Sequence, residues 1–257
     1  MIRILCGGLV LALTSLPALA GSATVDNSRP AAMRFDWHRE ASAEICGKAC
    51  RVWVAAVGPI TEQTPADFAA FAAQADLHGA ILALDSVGGS VIGTIRFGRM
   101  LRDLGITTTV GTTVTSTAAD GTVTSSLSPA ASCESMCGFV LLGGARRYVP
   151  PEARVLVHQI WLTKKRSHPE TASYNAEEVA LVERDIGSLA SYTVEMGGGI
   201  ELLQAALQVP PWEPLHRLSG GEIERTHLSN IDHLFDAPGN DGVARTAGTT
   251  LASAPLP

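Results

Sequence analysis

The chain has 257 residues, of which 46% are hydrophobic and 17% charged, a balance that excludes an intrinsically disordered chain. Nineteen Lys and Arg against 25 Asp and Glu give a formal net charge of −6. No basic run offers itself to phosphates, so no nucleic-acid partner is expected.

Residues 1–20 read MIRILCGGLVLALTSLPALA. Arg3 precedes an apolar run from Ile4 to Leu16, and Ala18-Leu19-Ala20 supplies the small residues a signal peptidase needs. The run is shorter than the roughly 20 residues of a spanning helix. The expectation is a cleaved secretory signal, a periplasmic or secreted location, and no membrane span in the mature chain. Cleavage removes Cys6 and leaves Cys46, Cys50, Cys133 and Cys137, which an oxidising compartment favours as disulfides. Each neighbouring pair encloses three residues, not the two of a thioredoxin-type redox motif. Pairing Cys46 with Cys50 and Cys133 with Cys137 is preferred. Cross-links of the Cys46–Cys133 kind stay open, a four-cysteine zinc site is the weaker alternative, and no metal is expected.

Residues 21–50 are polar and read as an irregular segment. Arg51–Val57 is a β-prone run closed by Gly58-Pro59. A helix is predicted from Thr64, as N-cap with Pro65 in its first turn, to about Leu77. Gly79–Leu84 is a short apolar run that suits a strand buried on both faces. The turn Asp85–Ser90 leads into a helix over Val91–Leu104, stopped by Gly105, and Ile106–Val110 is the next strand. Strand, helix, strand, helix, strand implies right-handed crossovers and one mostly parallel sheet. Residues 111–131, rich in Thr, Ser and Ala with an Asp120-Gly121 turn, read as a small hairpin or flap. A helix at 134–143, a strand at 153–158 and helices at 174–196, 200–208 and 219–226 complete the α/β domain, 51–235. Residues 236–257 have the composition of a disordered tail.

Three places could carry chemistry. Gly88-Gly89 follows a buried strand, where two glycines let the backbone turn tightly and aim N–H groups at an oxygen. Ser135 stands at the start of an apolar helix. It is either an N-cap or a nucleophile with the Met136 N–H ready for an oxyanion. His158 ends an apolar strand, as a hydrogen-bonded core residue or a general base. Together they suggest a nucleophilic site at one edge of the sheet.

The segments LDSVGGSV (84–91), SMCGFVLLGGARRYVPPEARVLVHQ (135–159) and LSGGEIERTHLSNID (218–232) resemble the proteolytic subunit of the Clp protease and its relatives in the ClpP/crotonase superfamily. They are most similar to exported ClpP-like proteins with a cysteine pair around the serine. The resemblance spans about residues 52–235. It implies a ClpP/crotonase-like, mostly parallel sheet with βαβ repeats and flanking helices. It also implies Ser135 as nucleophile, His158 as base and the N–H groups of Gly89 and Met136 as oxyanion hole. The implied activity is a serine hydrolase acting on a peptide or small acyl substrate, without a cofactor. The family acid has no Asp counterpart in this sequence; Glu213 is the nearest carboxylate. The alternative reading is a catalytically silent scaffold binding a partner or small acyl ligand, and acyl-thioester chemistry of the crotonase kind ranks last. By the same resemblance the chain is expected to form a homo-oligomer. An ATP-poor exported compartment argues against an ATPase partner. Lys164-Lys165-Arg166 reads as a solvated basic loop rather than a lysine base.

Overall fold

The structure is a computed structural model that describes residues 23–24, 31–162 and 171–235. The expected signal at 1–20, the tail at 236–257 and the Lys164-Lys165-Arg166 loop lie outside the described residues.

After the short β1 (Ala23–Thr24), a full strand, β2 (Arg34–Arg39), stands within the segment expected to be irregular, and corrects that expectation. Its sequence RFDWHR alternates apolar and polar residues, which is the period of a strand with one covered face. Phe35 and Trp37 both lie against Phe71, at 5.9 and 6.1 Å between ring centroids. A short helix α1 (Ala43–Cys46) and a 3-10 turn at Gly47–Ala49 fold back so that Cys46 and Cys50 are bonded, their Cα atoms 5.0 Å apart.

β3 (Val52–Val57), β4 (Ile81–Asp85) and β5 (Thr107–Val110) are the three apolar runs read as strands. The helix between the first two, α2 (Thr64–Ala72), departs from expectation at both ends. Gln63 holds the cap position, and the buried Thr64 turns its Oγ1 upstream to accept from the Thr61 N–H at 2.9 Å. At the other end Asp76 Oδ1 accepts from the His78 N–H at 3.0 Å, a local turn that competes with helix continuation toward Leu77. α3 (Val91–Asp103) starts as read, with Ser90 Oγ accepting from the Gly93 N–H at 3.1 Å, and stops before Gly105 at φ 63°. The 111–131 segment is the expected hairpin, β6 (Thr112–Thr117) and β7 (Val123–Ser128), turning at Asp120-Gly121.

β8 (Ser132–Glu134) leads directly into α4 (Met136–Gly143), every residue of which is buried. A helix apolar all round is one enclosed on every side. β9 (Arg146–Tyr148) and β10 (Arg154–Val157) follow, then α5 (Ala176–Glu195), α6 (Glu201–Leu207), β11 (His216–Arg217) and α7 (Gly220–Arg225).

Among the described residues the strands form three sheets, not one. Five strands run in the order β2-β3-β4-β5-β9, with β3, β4, β5 and β9 parallel and β2 antiparallel at the edge. β11-β10-β8 form a second sheet and β1-β6-β7 a third. The chain beyond β4 stitches the first sheet to the second: Ser86 bridges Cys133, with hydrogen bonds from Ser86 N–H to Ser132 O (3.0 Å) and from Glu134 N–H to Ser86 O (2.8 Å). The single expected sheet is split here because the chain leaves β5's neighbour, β9, and returns beside β8.

The core lies between the five-stranded sheet and helices α2, α3 and α4. Val54, Ala56, Leu82 and Leu84 meet Phe68 and Phe97, whose rings stand edge to face 5.0 Å apart. α3 and α4 cross at two glycines: a Cβ on Gly143 would come within 2.6 Å of the Gly98 Cα, so their backbones approach where no larger residue fits. Tyr192 fixes α5 to this crossing by donating its hydroxyl to Phe139 O at 2.9 Å, and burial pushes its phenol well above the ordinary range. Arg102 gathers the C-terminal carbonyls of two helices, donating to Leu142, Gly143, Gly144 and Met196 at 3.0–3.1 Å. Arg147 also donates to Gly144 O, and burial, with the Arg102 charge second, lowers its guanidinium to about 10.

Two caps make modest, checkable contributions. Asn175 and Glu178 form a reciprocal capping box at the start of α5. Asn175→Ala is expected to cost about 1 kcal/mol of stability in a urea titration. Glu222 accepts from the Ser219 hydroxyl (2.6 Å), the Ser219 N–H (2.7 Å) and His216 Nε2 (2.9 Å), and these bonds lower its carboxyl to about 2. A carboxyl lowered by folding stabilises above its unfolded value near 4.5, and that contribution fades as pH falls toward about 2. Glu222→Gln is therefore expected to lower stability above about pH 4.5 and to flatten the acid limb, so that the gap to the wild type in urea midpoints closes as pH falls from about 4.5 to about 2.

Candidate active site

Ser135 sits where β8 becomes α4. Its N–H donates to Leu156 O at 2.7 Å, which prolongs the β8–β10 ladder by one residue. It then turns sharply: φ 55° and ψ −122°, one of two non-glycine residues with positive φ among those described. A serine held there costs about 1–3 kcal/mol and persists only where its surroundings enforce it. Three constraints do so: the ladder on one side, the buried helix on the other, and the bond between Cys133 and Cys137, whose Cα atoms are 5.1 Å apart and which brackets the turn. Ser135 occupies the cap position of α4, yet its hydroxyl makes no cap hydrogen bond. The ordinary reason for a serine at a helix start does not apply.

The glycine pair meets this turn directly. A Cβ built on Gly88, at φ 81°, would lie 2.8 Å from both Ser135 Cβ and Met136 N and 2.5 Å from Glu134 O. Gly89, at φ 146°, runs against Ile60: Ile60 N–H donates to Gly88 O (2.8 Å) and Ser90 N–H to Ile60 O (2.9 Å). That short bridge fixes the glycine backbone beside the helix start. Among the described residues neither the Gly89 N–H nor the Met136 N–H has a hydrogen-bond acceptor. Met136 is the first residue of α4, where the N–H groups carry the positive end of the helix dipole.

His158 follows the last residue of β10 and is half-buried. The Leu156 carbonyl that accepts from the Ser135 N–H lies two residues before His158, so the histidine stands at the strand end beside the serine turn. Its Nδ1 lies 2.8 Å from Gln159 O. A carbonyl only accepts, so Nδ1 carries the hydrogen, and in the neutral ring Nε2 is the basic nitrogen. The Trp161 indole stands edge-on to the imidazole, 6.4 Å between centroids.

The segment after α6 also reaches this edge, through Gln159 N–H donating to Val209 O at 2.9 Å. Glu213 is four residues further, in an exposed turn, with no hydrogen bond to His158 among the described residues. Thus Gly89, Ser135, Met136 and His158 come from adjacent segments, and Glu213 makes no hydrogen bond to the imidazole among the described residues. The Gln159 carbonyl was invisible to sequence reading, since a backbone atom leaves no residue-type signal. The described residues contain no cluster of three or more His, Cys, Asp and Glu placed to hold a metal, and no helix among them is long and apolar enough to cross a membrane.

No family model matches the chain, and no curated protein matches it. Among solved structures it is similar to a mutant of the 1510-N membrane-bound stomatin-specific protease, at 15% identity and a TM-score of 0.44 over 66% of this chain and 73% of that one. A likeness of that size decides neither the fold nor the chemistry, which rest on the residues above.

Proposed function

We propose that this protein is an exported serine hydrolase of ClpP/crotonase-like fold, peptidase-like, working by acyl transfer through Ser135. The observation that carries this reading is a strained serine whose hydroxyl does not cap its own helix. Beside it are two N–H groups with no acceptor among the described residues. In the proposed reaction His158 Nε2 takes the Ser135 proton as Oγ attacks the scissile carbonyl carbon. The Gly89 and Met136 N–H groups stabilise the oxyanion. The imidazolium then protonates the leaving amine, the C–N bond breaks, and an acyl-serine remains. Water, deprotonated by the same nitrogen, hydrolyses the ester and restores the serine.

Two disulfides support an oxidising compartment, and the export signal read from the sequence accords with it. Assembly into a homo-oligomer without an ATPase partner is part of the proposal, checked by sedimentation of the mature chain. The test of the chemistry is a fluorophosphonate probe followed by peptide mass mapping. An adduct on Ser135 is expected; no adduct, or one on another residue only, removes the hydrolase. The exposed position of Glu213 favours a second reading, a catalytically silent scaffold, which that negative result would leave standing.

A further inference from the structure

Two consecutive glycines have no side chains to hold them, so the aim of the Gly89 N–H has to come from the bonds around its backbone. Two peptide planes meet at the Gly88 Cα, and each is held by one hydrogen bond. In the plane after it, Gly88 O accepts from the Ile60 N–H at 2.8 Å. The carbonyl and N–H of a trans peptide point to opposite sides, so this bond directs the Gly89 N–H away from Ile60. In the plane before it, the Gly88 N–H donates to Ser86 Oγ at 3.1 Å, its one acceptor among the described residues.

Ser86 is 1% exposed, and it is tied a second time through its main chain. Its N–H and carbonyl form the bridge to β8, the strand that leads into Ser135. One residue thus references the glycine loop to the strand that carries the nucleophile, with its main chain on β8 and its side chain on Gly88. Its hydroxyl also occupies the Gly88 N–H, so that of the two successive glycine N–H groups only that of Gly89 is left without an acceptor among the described residues. Serine hydroxyls often close local turns of this kind, and such a turn serves stability alone where nothing depends on its aim. Here the turn is buried, and its glycine packs against the start of α4.

We propose that Ser86 is a positioning residue for the oxyanion hole, a role that rests on the hydrolase reading above. Its hydroxyl holds Gly88 in place, and the Gly89 N–H then meets the charge that develops on the carbonyl oxygen under attack by Ser135. Ser86 acts through the Gly88 backbone and not on the substrate. Without the hydroxyl the Gly88 N–H is buried and unpaired, and the readiest repair is rotation of the glycine loop, which carries the Gly89 donor off its line.

The test is the kinetics of fluorophosphonate labelling of the full mature chain, since the phosphonyl oxygen draws on the same N–H groups as a carbonyl oxygen. Ser86→Ala is expected to lower the limiting rate constant for labelling of Ser135 about 10–100-fold. The probe concentration for half-maximal rate should stay within about twofold, and labelling should reach the wild-type end point. Ser86→Thr, which keeps the hydroxyl, is expected to recover most of the rate. If Ser86→Ala does not fold, Ser86→Cys keeps the volume with a poor acceptor and is expected to show the same loss. A wild-type rate constant in the Ala or Cys variant overturns the proposal, as does a folded Ser86→Thr no faster than Ser86→Ala. So does a lower end point with an unchanged rate constant, which is what lost stability alone produces. A wild-type chain that is never labelled at Ser135 removes the hydrolase reading itself, so the two failures are told apart.

Discussion

Ser135→Ala is expected to lower the rate of ester or peptide turnover on the order of 10³-fold or more while leaving the fold intact. The side chain makes no hydrogen bond on which the helix start depends, so its removal touches chemistry and not architecture. His158→Ala should fall close behind, by about 10²–10⁴-fold, the usual worth of a placed general base. Because the two act as one unit, the double variant should be little worse than Ser135→Ala alone. Glu213→Gln separates two arrangements of the imidazole. With Nδ1 directed at the Gln159 carbonyl, the loss of an exposed carboxylate should change turnover by less than about twofold. A large loss would mean that Glu213 swings in during turnover. Comparison of kcat/KM for the four variants with the wild type, with circular dichroism as the folding control, decides among these outcomes.

The second large effect is structural. Gly89→Ala is expected to destabilise the protein by about 3 kcal/mol or more, read from denaturant midpoints. The backbone there is at φ 146°, closed to side chains, and the new Cβ would be driven into the Ile60 carbonyl. Ile60 cannot retreat without surrendering the two hydrogen bonds that tie it to Gly88 and Ser90. The chain should relieve the collision by moving the glycine turn away from α4. Residual folded protein is therefore expected to react slowly with the fluorophosphonate even though Ser135 and His158 are present. A variant as stable and as reactive as the wild type would mean that the turn is not rigid.

Much of this was legible in the sequence where a single period dominates a long enough stretch. The runs at β3, β4 and β5 and the amphipathic α3 and α5 fall into this class. β8 and β9 were not legible because three residues show no period. β2 was missed for another reason: its alternation of Phe35 and Trp37 is plain, but the polar residues between them carried the composition of a loop. The division into separate sheets depends on where the chain returns after α4, a long-range choice that local pattern does not encode. At the candidate site the residue types were readable and the geometry was not. Nothing in the letters around Ser135 announces a positive φ.

The clasp that Arg102 makes at the far end of α4 bears on how the serine end is set. One planar cation is shared among oxygens from the termini of two different helices, and a second, Arg147, shares one of those oxygens. A slip of either helix by one residue would leave the half-buried Arg102 guanidinium short of acceptors, so misassembled versions of the bundle are penalised. Lysine, a point charge without the fork, could not enforce this. The aim of the hydroxyl is thereby proofread from the opposite pole of its own helix.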